Sequence, residues 1–92
     1  MINLEQILLN IVKPICKDPE GVLVKQMESI NENEVLLYVY APSEDIARLI
    51  GRQGTMANSI RQMLQVASKI QNKRIAIKFE AIEGWVIHPF YL

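Results

Sequence analysis

The chain has 92 residues, half of them apolar and 22% charged, enough for one hydrophobic core, too short for two, and too apolar for disorder. Its single cysteine, Cys16, excludes an internal disulfide, no apolar run approaches the roughly 18 residues of a membrane span, and Glu5 stands where a signal peptide would be cationic, so the expected setting is the cytoplasm. The formal net charge is zero, yet the signs are segregated: residues 1–47 hold three cations and eight acids, whereas residues 48–79 hold seven cations and no acid.

Leu4, Ile7, Leu8, Ile11, Val12 and Ile15 recur at three-four spacing and predict an amphipathic helix. Asn3 and Gln6 have the spacing of a capping box at its start. Pro14 ends or kinks that helix, and Asp18-Pro19-Glu20-Gly21 reads as a turn. A strand of mixed pattern is expected over residues 22–30, followed by a turn over 31–34. Residues 35–40, Val-Leu-Leu-Tyr-Val-Tyr, are almost wholly apolar, which suits a central strand covered on both faces. Ser43 is placed to cap the next helix, with Glu44 and Asp45 in its first turn where the dipole favours acids. That helix runs into Gly51, in the position of a left-handed C-terminal cap. A third helix is expected from about residue 55 to 69, with Ala57, Ile60, Leu64 and Ala67 as its inner stripe. After a short loop, residues 74–80 alternate, with Ile75, Ile77 and Phe79 inward, as a half-buried strand does. The order is α-β-β-α-α-β, an α+β domain with three helices on one face of a three-stranded sheet.

The junction of the second and third helices is Gly51-Arg52-Gln53-Gly54, inside the basic block. Gly51 permits a chain reversal that a Cβ would resist. Gly54 removes a side chain from the opposite rim, so a sugar-phosphate strand can approach the main chain. The third helix starts there and offers unpaired N–H groups and a positive dipole end to an anion. Arg52 adds a mobile cation and Gln53 an uncharged donor. A mononucleotide cradle is not the alternative, because the Gly-Lys-Ser/Thr of a Walker loop is absent.

With these residues in place, IARLIGRQGTMANSIRQML resembles the signature of a KH domain, and the preceding helix and strand match the type II arrangement. Over residues 1–80 the chain is similar to small bacterial single-KH proteins of the KhpA type, and residues 81–92 form an apolar C-terminal extension without counterpart there. The resemblance implies that the Gly51–Gly54 loop clamps the backbone of about four single-stranded nucleotides while bases lie over an apolar groove. Carried over, the RNA-binding residues are Arg48, Ile50, Gly51, Arg52, Gln53, Gly54, Thr55, Lys73 and Arg74, with Ile75 and Ile77 as further groove-floor candidates. It also implies RNA-chaperone activity, action with a second, KhpB-like KH protein, and an influence on cell-wall homeostasis and cell length. Thr55 and Asn58 depart from the family, which commonly carries bases there.

Nothing in the sequence supports enzymatic chemistry or a cofactor: His88 has no neighbouring ligand or acid, and Met1, Met27, Met56 and Met63 form no ligand set. Arg61 and Lys69 read as solvated surface. Two other functions fit part of the pattern. Ala47, Gly51 and Ile60 also match a helix-turn-helix reader of duplex DNA, although Gly54 would weaken its recognition helix. The neutral Thr55 and Asn58 and the apolar extension fit a KH fold kept only as an assembly module. That extension, with Trp85, Val86, Ile87, Phe90, Tyr91 and Leu92, either packs on its own sheet or contacts another chain; a homodimer or heterodimer is the expectation.

Overall fold

The computed structural model describes residues 3–69 and 72–82. In chain order they form α1 (Leu4–Val12), one-turn 3-10 helices at Lys13–Ile15 and Pro19–Gly21, β1 (Leu23–Met27), β2 (Glu34–Ala41), α2 (Ser43–Ile50), a 3-10 turn at Arg52–Gly54, α3 (Thr55–Ser68) and β3 (Arg74–Ala81). This is the α-β-β-α-α-β order of a type II KH domain. The apolar extension lies, apart from Ala81 and Ile82, outside the described residues.

The sheet order is β1-β2-β3, with β2 in the middle, antiparallel to β1 and parallel to β3. A parallel pair needs a crossover, and α2, the loop and α3 supply it. Val24 lies opposite Val39, and Leu37 opposite Ile77, so one face of the sheet is a continuous apolar surface. All three helices cover that face: α1 over β1, α2 against β2 and β3, and α3 against α1, α2 and β3. Leu8, Leu37, Leu49, Ile60 and Leu64 are fully buried between the layers, each stabilising the fold by about 1.5–3 kcal/mol. The Asn3 side chain caps α1 by accepting from Gln6 N–H at 3.1 Å, but the Gln6 amide turns to Asn10 rather than back. Only half of the capping box forms.

Four expectations are corrected. β2 is central but covered on one face only: Val35, Leu37, Val39 and Ala41 are buried, whereas Glu34, Leu36, Tyr38 and Tyr40 are half-buried, because no element lies over their side among the described residues. β1 stops at Met27 rather than continuing to Ile30, which is fully exposed; Ser29 turns out of the strand and donates its hydroxyl to Glu34 at 2.7 Å. Ser43 does not cap α2, since the N-cap residue is Pro42, whose carbonyl accepts from Ile46 N–H at 2.9 Å. In α3 the inner stripe closes with Ser68 instead of Ala67, which is exposed. The i, i+4, i+8 row of Ile60, Leu64 and Ser68 stays on one face, and the buried hydroxyl donates to the Gln65 carbonyl at 3.3 Å.

Candidate nucleic-acid interface

α2 ends at Gly51 with φ 74° and ψ 179°, a region open essentially to glycine alone and more restrictive than the left-handed cap expected there. A Cβ at Gly51 would lie 2.7 Å from the Met56 Cβ and 2.9 Å from the Met56 nitrogen, so the chain reverses directly beneath the first turn of α3. Gln53 (φ 55°, ψ 26°) and Gly54 (φ 79°, ψ 10°) are both left-handed. A Cβ at Gly54 would meet no heavy atom of the described residues within 4 Å. The turn holds itself together: Gly54 N–H donates to the Gly51 carbonyl at 3.3 Å and the Thr55 hydroxyl to the Arg52 carbonyl at 2.9 Å. Thr55, although neutral, thus stiffens the loop.

Arg52 and Gln53 are exposed at the tip. Among the described residues, no carboxylate comes within 4.0 Å of Arg52. α3 begins at Gly54 with no side-chain cap, which leaves its first-turn N–H groups without a side-chain acceptor. The corner is therefore a low ridge of glycine main chain beside a guanidinium that has no carboxylate partner among the described residues. Ile50, 37% exposed, stands beside it on α2.

The other sequence candidates are placed differently. Arg48 points back along α2, bonding Asp45 at 3.1 Å and Glu44 at 3.4 Å, so its charge is engaged one turn away from the loop. Lys73 and Arg74 lie past the far end of α3, whose 14 residues separate its ends by about 20 Å. There they line a polar cleft with Asn31, Asn33 and Gln65, and Arg74 N–H donates to the Asn33 carbonyl at 2.8 Å. Ile75 is only 2% exposed and belongs to the core under the helices, so it offers no surface to a base; Ile77 is half-buried on the strand whose second edge carries no neighbour in the sheet among the described residues. Arg61 bonds Asn58 at 2.8 Å on the outside of α3.

One residue behind the site was not readable as such. Asp45 is 2% exposed and accepts the N–H groups of Lys17 and Asp18 at 2.8 and 3.0 Å, tying the connection after α1 to the start of α2. Those N–H groups, first that of Lys17, and the Arg48 guanidinium hold its carboxyl below the ordinary carboxylate value, against the opposing effect of burial. Burial, and after it the Asp45 charge, push the nearby Cys16 thiol up to about 11, so it stays protonated and unreactive at neutral pH. Because the Asp45 pKa is depressed in the folded state, its stabilisation is complete above about pH 4 and is lost as pH falls through the folded value. Asp45→Asn will lower the thermal midpoint by several degrees at pH 7, and the gap to wild type will narrow as melts are repeated at acid pH below the ordinary carboxylate range. A pH-independent gap contradicts this role.

The family model described as "KhpA/KhpB, KH domain" matches residues 5–79. Curated proteins similar to the chain include the RNA-binding protein KhpA of Listeria monocytogenes, 29% identical over 75 residues that cover 82% of this chain and 96% of that protein. The RNA-binding protein KhpA of Clostridium acetobutylicum is 29% identical over 75 residues, covering 82% and 97%. That of Lactiplantibacillus plantarum is 30% identical over 80 residues, covering 87% and 92%. Among solved structures, Era in complex with MgGDPNP and nucleotides 1506–1542 of 16S ribosomal RNA superposes with a TM-score of 0.56 at 17% identity. The match covers 96% of this chain but spans only 33% of Era, and at that identity it speaks for the fold alone.

Proposed function

Since the chain belongs to the KhpA/KhpB KH-domain family, we propose that it binds single-stranded RNA, with the Gly51–Gly54 ridge as the clamp on the sugar-phosphate backbone. The observation that carries this reading is the open corner itself: left-handed backbone at Gln53 and Gly54 and, among the described residues, no heavy atom within 4 Å of a Cβ at Gly54, no carboxylate partner for Arg52 and no side-chain cap on the helix start. The RNA-binding proteins that share its family lend support from outside the chain. Bases then lie toward Ile50 and Ile77, and Thr55 serves by stiffening the clamp, its N–H and hydroxyl both donating to the Arg52 carbonyl. Arg48 serves by holding α2 in place, and Lys73 and Arg74 attract the strand at the distal end of the same basic block.

Chaperone action, work in the cytoplasm, and effects on cell-wall homeostasis and cell length are the finer parts of this proposal. So is pairing with a second copy or a KhpB-like KH protein, for which the outer side of α3 is suited: Met63 and Val66 are 45% and 77% exposed around an apolar hollow. No helix among the described residues is long and apolar enough to cross a membrane.

Filter binding of a labelled RNA single strand tests the reading. With about three phosphates engaged, log affinity will fall against log salt with a slope of about −2. An equal mass of duplex DNA will compete poorly. Effective competition by the duplex favours the helix-turn-helix alternative, and no binding at low salt favours a KH fold retained only for assembly.

A further inference from the structure

The sheet face turned away from the helices takes no part in the loop clamp, and strand register sorts its side chains into rows. Lys25 and Lys78 stand on either side of Tyr38, Leu23 and Glu80 on either side of Tyr40, and Glu34 lies beside Arg74. Lys25, Arg74, Lys78 and Glu80 are exposed, whereas Glu34, Tyr38 and Tyr40 are half-buried. The face is therefore mixed, but its charges are not evenly spread. At one end Glu34 offsets Arg74 and also accepts the Ser29 hydroxyl at 2.7 Å. Glu80 lies one row beyond the centre, toward the other end. The central row holds two lysines and no acid. Among the described residues, no carboxylate comes within 4.0 Å of either lysine.

Tyrosine rings between ammonium groups are what a sheet offers to a nucleic-acid single strand, rings for the bases and cations for the phosphates. The Tyr38 and Tyr40 rings stack with centroids 6.0 Å apart and planes 19° apart, so they stand as parallel plates. Beside them Leu23, Lys25, Tyr40 and Ile82 line a hollow of about 410 Å³. We infer that this face is a second surface for single-stranded RNA, with bases on the Tyr38–Tyr40 pair and phosphates at Lys25 and Lys78; it rests on the reading above only in taking RNA as the ligand. The two surfaces meet at β3. Ile77, on the side of the clamp, and Lys78 are consecutive there and point to opposite faces. β3 has no further neighbour in the sheet among the described residues, which leaves its edge open to a strand leaving the loop. From that edge the row Lys78–Tyr38–Lys25 crosses three strands, about 10 Å. A second copy of the chain fits less well, because pairing two such faces would enclose charged side chains of a kind depleted from interface cores.

Amide spectra of the isotope-labelled chain, titrated with a 12-nucleotide RNA, test this surface. Lys25, Tyr38 and Lys78 will shift along with Arg52 and Gln53. Lys25→Glu combined with Lys78→Glu, both at exposed positions, will lower affinity about tenfold and flatten the plot of log affinity against log salt by about 1.4, or about 0.7 for each phosphate lost. Tyr38→Thr keeps the charge and a side chain suited to a strand, and it will lower affinity at least about fivefold through lost stacking. Lys13→Glu, at an exposed position just past α1, is the control and will cost no more than about threefold. Circular dichroism checks each fold; if Tyr38→Thr does not fold, the lysine pair and the amide shifts decide. Shifts at the loop without shifts on the sheet overturn the inference and leave the clamp standing. Shifts on the sheet alone uphold it and remove the clamp, and shifts at neither overturn both. Sheet shifts that follow protein concentration in the absence of RNA assign the face to a second copy, and an equal loss with Lys13→Glu reduces the lysines to diffuse attraction. Either result overturns the inference.

Discussion

Exchanging Arg52 and Gln53 together for aspartate will lower affinity for single-stranded RNA by at least two orders of magnitude, with the thermal midpoint within about 3 °C of wild type. The loss follows from charge placement. At about 6 Å and the effective dielectric of about 20 near a protein surface, one carboxylate opposes one phosphate by about 3 kcal/mol. The double variant installs two such charges and deletes a cation that has no carboxylate partner among the described residues. The fold is spared because both side chains are exposed and the turn is held by main-chain bonds and the Thr55 hydroxyl. Aspartate also tolerates the left-handed backbone at position 53 better than most residues. Arg61→Asp is the control: this cation is tied to Asn58 on the outside of α3, and its loss will weaken binding no more than about fivefold, as for a peripheral charge. Filter binding beside thermal melts checks all three. Retention of binding by the double variant removes the loop from the interface.

Much of this was legible because the relevant signals are local. Helix and strand periods in α1, α2 and β3 are written in neighbouring residues, and two glycines around a cation at a helix junction announce a bare turn. What escaped is non-local. Asp45 looks like a helix-start acid, and nothing near it says that its partners are N–H groups 28 and 27 residues earlier. Arg48 counts as a cation of the basic block until its neighbours on α2 are seen to hold it. Alternation gives Ile75 and Ile77 the same inward direction but not their depth, which depends on where the helices end above them. The run in β2 reads as covered on both faces, because apolar side chains record a demand for cover and not which segment meets it. Ser68 replaces Ala67 since helix phase decides burial more strictly than hydropathy when a small hydroxyl can bond within its own turn.

Alanine at Gly51 and alanine at Gly54 will separate the two tasks of the loop. At Gly51 the backbone lies at φ 74° and ψ 179°, where a side chain costs about 1–3 kcal/mol in strain alone. The new Cβ also meets the Met56 Cβ at 2.7 Å and the Met56 nitrogen at 2.9 Å; the latter is main chain and cannot rotate away. A total near 3 kcal/mol is a large share of the 5–15 kcal/mol that holds a small domain together, and it corresponds to a fall of about 15 °C in thermal midpoint. At Gly54 the left-handed backbone costs about 1 kcal/mol or slightly more, or about 5 °C, and the Cβ enters open space. That space is where the phosphodiester must lie if the clamp is correctly assigned, so Gly54→Ala will lose more than tenfold in affinity from a fold that remains largely intact. Gly54→Asn sharpens the comparison. Asparagine accepts the left-handed conformation and will recover most of the stability, but its larger side chain stands in the same space and will not recover binding. If affinity instead tracks stability across Gly51→Ala, Gly54→Ala and Gly54→Asn, the emptiness above Gly54 is a property of the turn and not of a binding site.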